Sequence, residues 1–99
     1  MTDKLPPIHP GKILMEEFLL PLGLSQSSLA IALRVPLQRV LDIVHGRRAI
    51  TVDAAARLAR YFGSTPDFWL NLQTRYNMEM AKDAGLFDRS AHDVCPRQE

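Results

Sequence analysis

The 99-residue sequence holds a single cysteine, Cys95, so no disulfide can form within the chain and no cysteine cage is available for zinc. No apolar run approaches the ~20 residues that cross a bilayer. The N-terminal stretch MTDKLPPIHPGK lacks the apolar block of a secretory signal, so a cytoplasmic protein with no membrane association is expected. Nothing repeats at a fixed period, and neither a glycine-rich phosphate loop nor a nucleophile signature occurs. His92 and Cys95 supply two metal ligands with no further His or Cys near them in sequence, so neither metal nor cofactor is expected. Glu16 and Glu17 are adjacent and diverge by about 100° on a helix, too far to serve one substrate. These absences argue against an enzyme.

What is present is an ordinary globular composition, 46% apolar and 23% charged, with room for one domain and a small core. The net charge of +1 is unevenly spread. Residues 34–60 hold six arginines (Arg34, Arg39, Arg47, Arg48, Arg57 and Arg60) against Asp42 and Asp53, while both flanking segments are mildly acidic. A basic middle suits a polyanion; an arginine-rich solvated face is the alternative.

Apolar spacing and punctuation predict five helices and no strand. The first opens at Pro10 and stops at Pro21, with Leu14 and Phe18 inward, Ile13 flanking them and Glu16 and Glu17 outward. Ser25 caps the second, QSSLAIAL, which buries Leu29, Ala30 and Leu33. The third, LQRVLDIVH, buries Val40, Ile43 and Val44 and ends at Gly46. Thr51 caps the fourth, VDAAARLARYF, with Ala55, Leu58, Ala59 and Phe62 on one face. Thr65–Pro66 opens a long fifth helix ending at Gly85, whose apolar arc holds Trp69, Leu72, Tyr76 and Met80, widened by Phe68 and Leu70. The predicted domain is 1–85, and 86–99 is polar and aperiodic, a loose tail.

Helices two and three carry a recognisable spacing. Counting from Gln26, small Ala30 stands fifth, Val35 tenth, Val40 fifteenth and Ile43 eighteenth. That order suits two helices crossing steeply, with a small residue at their closest approach and apolar plugs in the angle. This is helix-turn-helix geometry.

The stretches HPGKILMEEFLLPLGLSQSSLAIAL, GRRAIT and ARLARYFGSTPDFWLNLQTRYNM go further. Over residues 8–80 the chain resembles the HigA-type antitoxins, a branch of the lambda-repressor-like helix-turn-helix group, and Trp69, Asn71 and Gln73 make the last motif specific. The resemblance implies an all-α, five-helix domain. It also implies a homodimer that binds operator DNA, represses its own operon and silences a small RNA-cleaving toxin of the RelE/HigB fold. Alternatives are a solitary transcriptional regulator, or a toxin-binding module with weak DNA affinity.

In such a domain Gln26 suits a phosphate contact at a helix N-terminus, and Arg47 and Arg48 grip the backbone beyond the recognition helix. Leu37, Gln38, Arg39 and Asp42 face the bases. Gln38 pairs with adenine, Arg39 with guanine or phosphate, Asp42 accepts from cytosine and Leu37 lies on a thymine methyl. Arg34 stands where such turns usually carry Gly, at a cost of ~1 kcal/mol, and aims its charge at phosphate. Pro36 replaces the capping Ser or Thr, forgoing a bond of order 1 kcal/mol. Asn71, Arg75 and Met78 are expected at the dimer seam, and Lys12, Met15, Glu16 and Leu19 on the toxin surface, with a solvated helix face as the competing reading of the latter.

Overall fold

His9 starts the first helix with its own ring. In the computed structural model, which describes residues 5–98, the imidazole Nδ1 accepts the Gly11 N–H at 2.9 Å and so caps the helix that Pro10 opens. Residues 1–4 and Glu99, at the two ends of the predicted domain and tail, lie outside the described residues. The architecture is a succession of helices: α1 over 10–22, α2 Gln26–Leu33, α3 Leu37–Val44, α4 Val52–Phe62, α5 Pro66–Asp83 and α6 Leu86–Asp93. Among the described residues there is no strand.

Helix α1 departs from expectation at its end. Its middle, Leu14–Leu19, is wound wide, and the Leu20 N–H reaches back to the Met15 carbonyl, five residues earlier. The wide turn gives the proline ring room, so Pro21 sits inside the last turn instead of stopping the helix. The helix ends one residue later, where Gly23 takes a left-handed φ of 62°. Winding wide also rotates Leu19 into the core, where it is 1% exposed; the outward placement expected for it is therefore corrected.

Leu14, Leu19, Leu29, Val40, Leu58 and Trp69 form the centre of the core, each worth roughly 2 kcal/mol on burial. Phe18, Phe62, Phe68 and Trp69 interlock, with Phe18 centroids 4.8 Å from Phe62 and 4.9 Å from Trp69. The Trp69 indole N–H is satisfied by Ser64 Oγ at 3.1 Å. Met80, expected on the buried arc, is 45% exposed because its end of α5 runs past the core. Gln73 is buried instead: its Oε1 accepts the Ile50 N–H at 2.8 Å, and its Nε2 donates to Asn77 Oδ1 at 2.9 Å. One side chain thus pins the segment ahead of α4 to α5.

The segment expected as a loose tail is helical over Leu86–Asp93. Gly85, at φ 78°, turns the chain, and Arg89 donates to the Ala84 carbonyl at 2.6 Å. None of its residues is buried, so no inward stripe marked it in the sequence.

Candidate nucleic-acid interface

Helices α2 and α3 meet as the spacing predicts. Ala30 is buried at the crossing, the Val35 N–H bonds the Ala30 carbonyl at 3.1 Å, and Val40 and Ile43 plug the angle. Arg34 occupies the left-handed region at φ 59°, ψ 46°. Pro36 stands at the N-cap of α3 and provides no side-chain cap. Both irregularities inferred from sequence are therefore real. On the opposite side of α3, Gly11 lets α1 seat directly on the Ile43–Val44 backbone.

The first turn of α3 exposes Leu37 and Gln38. The Gln38 Nε2 donates to Asp42 Oδ1 at 2.8 Å. Arg47 reaches the same oxygen at 3.2 and 3.3 Å through Nη2 and Nε. The Asp42 carbonyl in turn receives the N–H groups of Arg47 and Arg48, at 2.8 and 3.2 Å, as Gly46 turns at φ 75°. Asp42 thus gathers Gln38 and Arg47 into one cluster, with Arg48 exposed beside it. Hydrogen bonding from Gln38, aided by Arg47 and Arg48 and opposed by partial burial, holds the Asp42 carboxyl below its usual range.

Arg39 does not face outward as a base reader. Its side chain is only 20% exposed and its Nη2 bonds Asp53 Oδ2 at 2.8 Å. Asp53 also takes Arg57, at 3.0 Å, and Arg57 donates to the Leu33 carbonyl at 2.9 Å. A chain of charge-assisted bonds therefore ties α3, α4 and the end of α2. The bonds of Arg39, then Arg57, depress the Asp53 carboxyl. Arg39 was misplaced because its partner is 14 residues away, out of reach of helical periodicity. Arg57, assigned no role from sequence, completes the brace, and with Arg34 and Arg60 it lines a groove of about 570 Å³.

Gln26 is folded back toward α1. Its Nε2 lies 4.0 Å from Met15 Sδ, and its Oε1 is buried without a partner among the described residues, so the expected phosphate contact is not presented in this conformation.

His9 stands behind the loop that carries the arginines. Its ring packs edge-on to Tyr76 at 4.9 Å, and burial lowers its pKa while a hydrogen bond with the Arg48 backbone partly offsets this. A groove of about 420 Å³ runs beside it, lined by Ile8, Lys12, Met15, Glu16, Val44 and His45 among others. Lys12 and Glu16 pair loosely at 3.9 Å, and both are exposed. Asn71, Arg75 and Met78 share an exposed stripe of α5, at steps of four and three.

Among the described residues no group of three or more metal-binding side chains comes together, and no helix is long and apolar enough to cross a membrane.

The folded unit is a helix-turn-helix domain with a long fifth helix, and the helix-turn-helix family profile matches residues 15–69. A structure described as an addiction module antidote protein of the HigA family, from Coxiella burnetii, is 44% identical. It covers 94% of this chain and 100% of its own, with a TM-score of 0.85. Antitoxin HigA of Pseudomonas aeruginosa, solved with the higBA promoter, is 42% identical over 93% of this chain and 99% of its own, also at 0.85. Virulence-associated protein I of Dichelobacter nodosus is 51% identical over 80 residues, 81% of this chain and 74% of that protein. The chain belongs to the HigA antitoxin family of helix-turn-helix proteins. Proteins of this class are regulators, not enzymes.

Proposed function

We propose that the chain is a cytoplasmic, homodimeric antitoxin that binds operator DNA, represses its own operon and neutralises an RNA-cleaving toxin of the RelE/HigB type. The observation that carries this reading is the α3 surface. Leu37 and Gln38 are exposed on its first turn, and Arg47 and Arg48 are exposed on the loop that closes it. The likeness to an antitoxin solved with promoter DNA supports the same use of that surface.

In the proposed complex α3 lies in the major groove. Gln38 pairs with adenine and Leu37 packs on a thymine methyl. Arg47, Arg48 and Arg34 neutralise phosphates, and Gln26 swings out from Met15 to join them. Two copies, joined along the Asn71–Arg75–Met78 stripe, read half-sites about one helical turn apart. With so few base readers, specificity also draws on phosphate anchoring and groove shape. The toxin occupies the face bearing Lys12, Met15 and Glu16, away from the arginines; Leu19, being buried, has no part in it.

A second reading, a toxin-binding module with weak DNA affinity, is favoured by the uncapped start of α3 and the strained Arg34. A solitary regulator differs from both in lacking a RelE-like neighbour in its operon. Titration onto the protein's own promoter and onto random duplex at two salt concentrations separates the DNA-binding readings from the module. The wild type should prefer its promoter. Arg47→Ala should weaken binding to every sequence and flatten the salt slope by about 0.9 per subunit, while Gln38→Ala should chiefly erode the preference for the promoter. A wild type that binds both duplexes equally overturns the repressor reading and leaves the interaction module.

A further inference from the structure

We propose that Asp42 is a specificity-determining positioning residue: its carboxylate orients Gln38 for a base edge and holds Arg47 back from phosphate until the correct sequence is engaged. The inference rests on the operator-binding reading and replaces the direct cytosine contact expected of Asp42.

The geometry begins with a shared oxygen. Asp42 Oδ1 accepts both the Gln38 amide, at 2.8 Å, and the Arg47 guanidinium, at 3.2 Å. The side-chain amide of glutamine has two N–H donors and one acceptor oxygen. With one N–H given to Asp42, the remaining N–H and Oε1 form the donor–acceptor pair that adenine N7 and N6–H complement. A carboxylate can only accept. It therefore fixes which end of the Gln38 amide lies against it, whereas a neutral amide at the same position could take either end. The carboxyl is held in its ionised form by the same bonds, so the constraint operates throughout the neutral range.

The second effect is electrostatic. A carboxylate on a surface that meets phosphates opposes every duplex equally, and a phosphate contact made through the Nε–Nη2 edge of Arg47 must draw that edge from Asp42. On random sequence nothing offsets that loss. On the operator, the adenine contact of the oriented Gln38 offsets it. Asp42 thereby weakens non-specific binding more than specific binding, and widens the ratio between them.

The test uses the full chain, its own promoter duplex and a random duplex of equal length, across a salt series. Asp42→Asn is isosteric and keeps an acceptor, and unchanged helicity and thermal midpoint confirm that it folds. It should raise affinity for random duplex roughly five- to tenfold, steepen the salt slope by up to about 0.9 per subunit, and lower the promoter-to-random ratio. Orientation of Gln38 gives a readout that a structural role would not move. In a Gln38→Ala background, Asp42→Asn should still raise random binding but should no longer lower the ratio. Asp42→Asn that weakens promoter binding without strengthening random binding would show a direct base contact and overturn the proposal. So would an unchanged ratio in the Gln38-containing protein. Equal binding of both duplexes by the wild type is a separate failure, that of the operator reading itself.

Discussion

Gly11 is the point at which a single methyl group should most disturb the DNA-binding surface. A Cβ built there would overlap the Ile43 carbonyl oxygen and lie 2.7 Å from its carbon and 3.0 Å from Val44 Cα. These are backbone atoms of the recognition helix, so no side chain can rotate away. Restoring ordinary contact with that oxygen, the nearest of the three atoms, requires α1 and α3 to separate by roughly 1.5 Å. A gap of that size forfeits about half or more of the dispersion energy along the seam, and overpacking of this kind costs about 3 kcal/mol. Alanine's better helix propensity returns less than ~1 kcal/mol in a first turn. A net loss of about 2 kcal/mol lowers the melting midpoint by roughly 8–16 °C in a domain of this size.

Thermal melts of Gly11→Ala and Gly23→Ala make the comparison. Gly23 has φ 62° with nothing within 4 Å, so its substitution carries only the left-handed strain of ~1 kcal/mol and a drop of roughly 4–8 °C. Because the displaced backbone belongs to α3, Gly11→Ala should also weaken promoter binding under conditions where it remains folded. A Gly11→Ala protein that melts at or above the wild type would refute the close seating of α1 on α3.

Gln73→Leu should cost about 1–3 kcal/mol in urea denaturation, because it leaves the buried Ile50 N–H without its acceptor; an unchanged midpoint would show that water takes the glutamine's place. The His9 pKa lies below its ordinary value of 6.5, so the group binds fewer protons folded than unfolded. Its contribution is complete above pH 6.5 and is lost as pH falls through the depressed value, since protonation removes the Nδ1 lone pair that caps α1. The difference in melting midpoint between pH 7.5 and pH 5 should therefore shrink in His9→Asn, which can cap without titrating; an identical difference would place the acid sensitivity elsewhere.

Much of the fold was legible because its signals are local. Ser25, Thr51 and Thr65 each accept the N–H three residues on, as their positions before apolar runs implied. The strain at Arg34 and the missing cap at Pro36 were equally plain, since both follow from one residue's backbone. The site was less legible. Gln38, Leu37, Arg47 and Arg48 could be placed on or beside the exposed turn of a known motif, but Arg39 could not be distinguished from them. All are polar or exposed positions at one end or the other of α3, and periodicity does not say which guanidinium finds a carboxylate across the fold.

The order of helices α2 to α5, the caps at Ser25, Thr51 and Thr65, and the crossing of α2 on α3 were determined by the sequence itself, because each depends on residues within a turn or two of one another. Tertiary packing alone decided that Leu19 turns inward, that Arg39 braces α4, and that Gln73 joins the Ile50 segment to α5. The Gln38–Asp42–Arg47 cluster needed both: an i,i+4 pair visible in sequence, and a loop folded back by Gly46 to bring the second arginine onto it. The physical reason is distance along the chain. Contacts across 14 or 23 residues depend on how helices dock, and docking is set by the shape of the whole core.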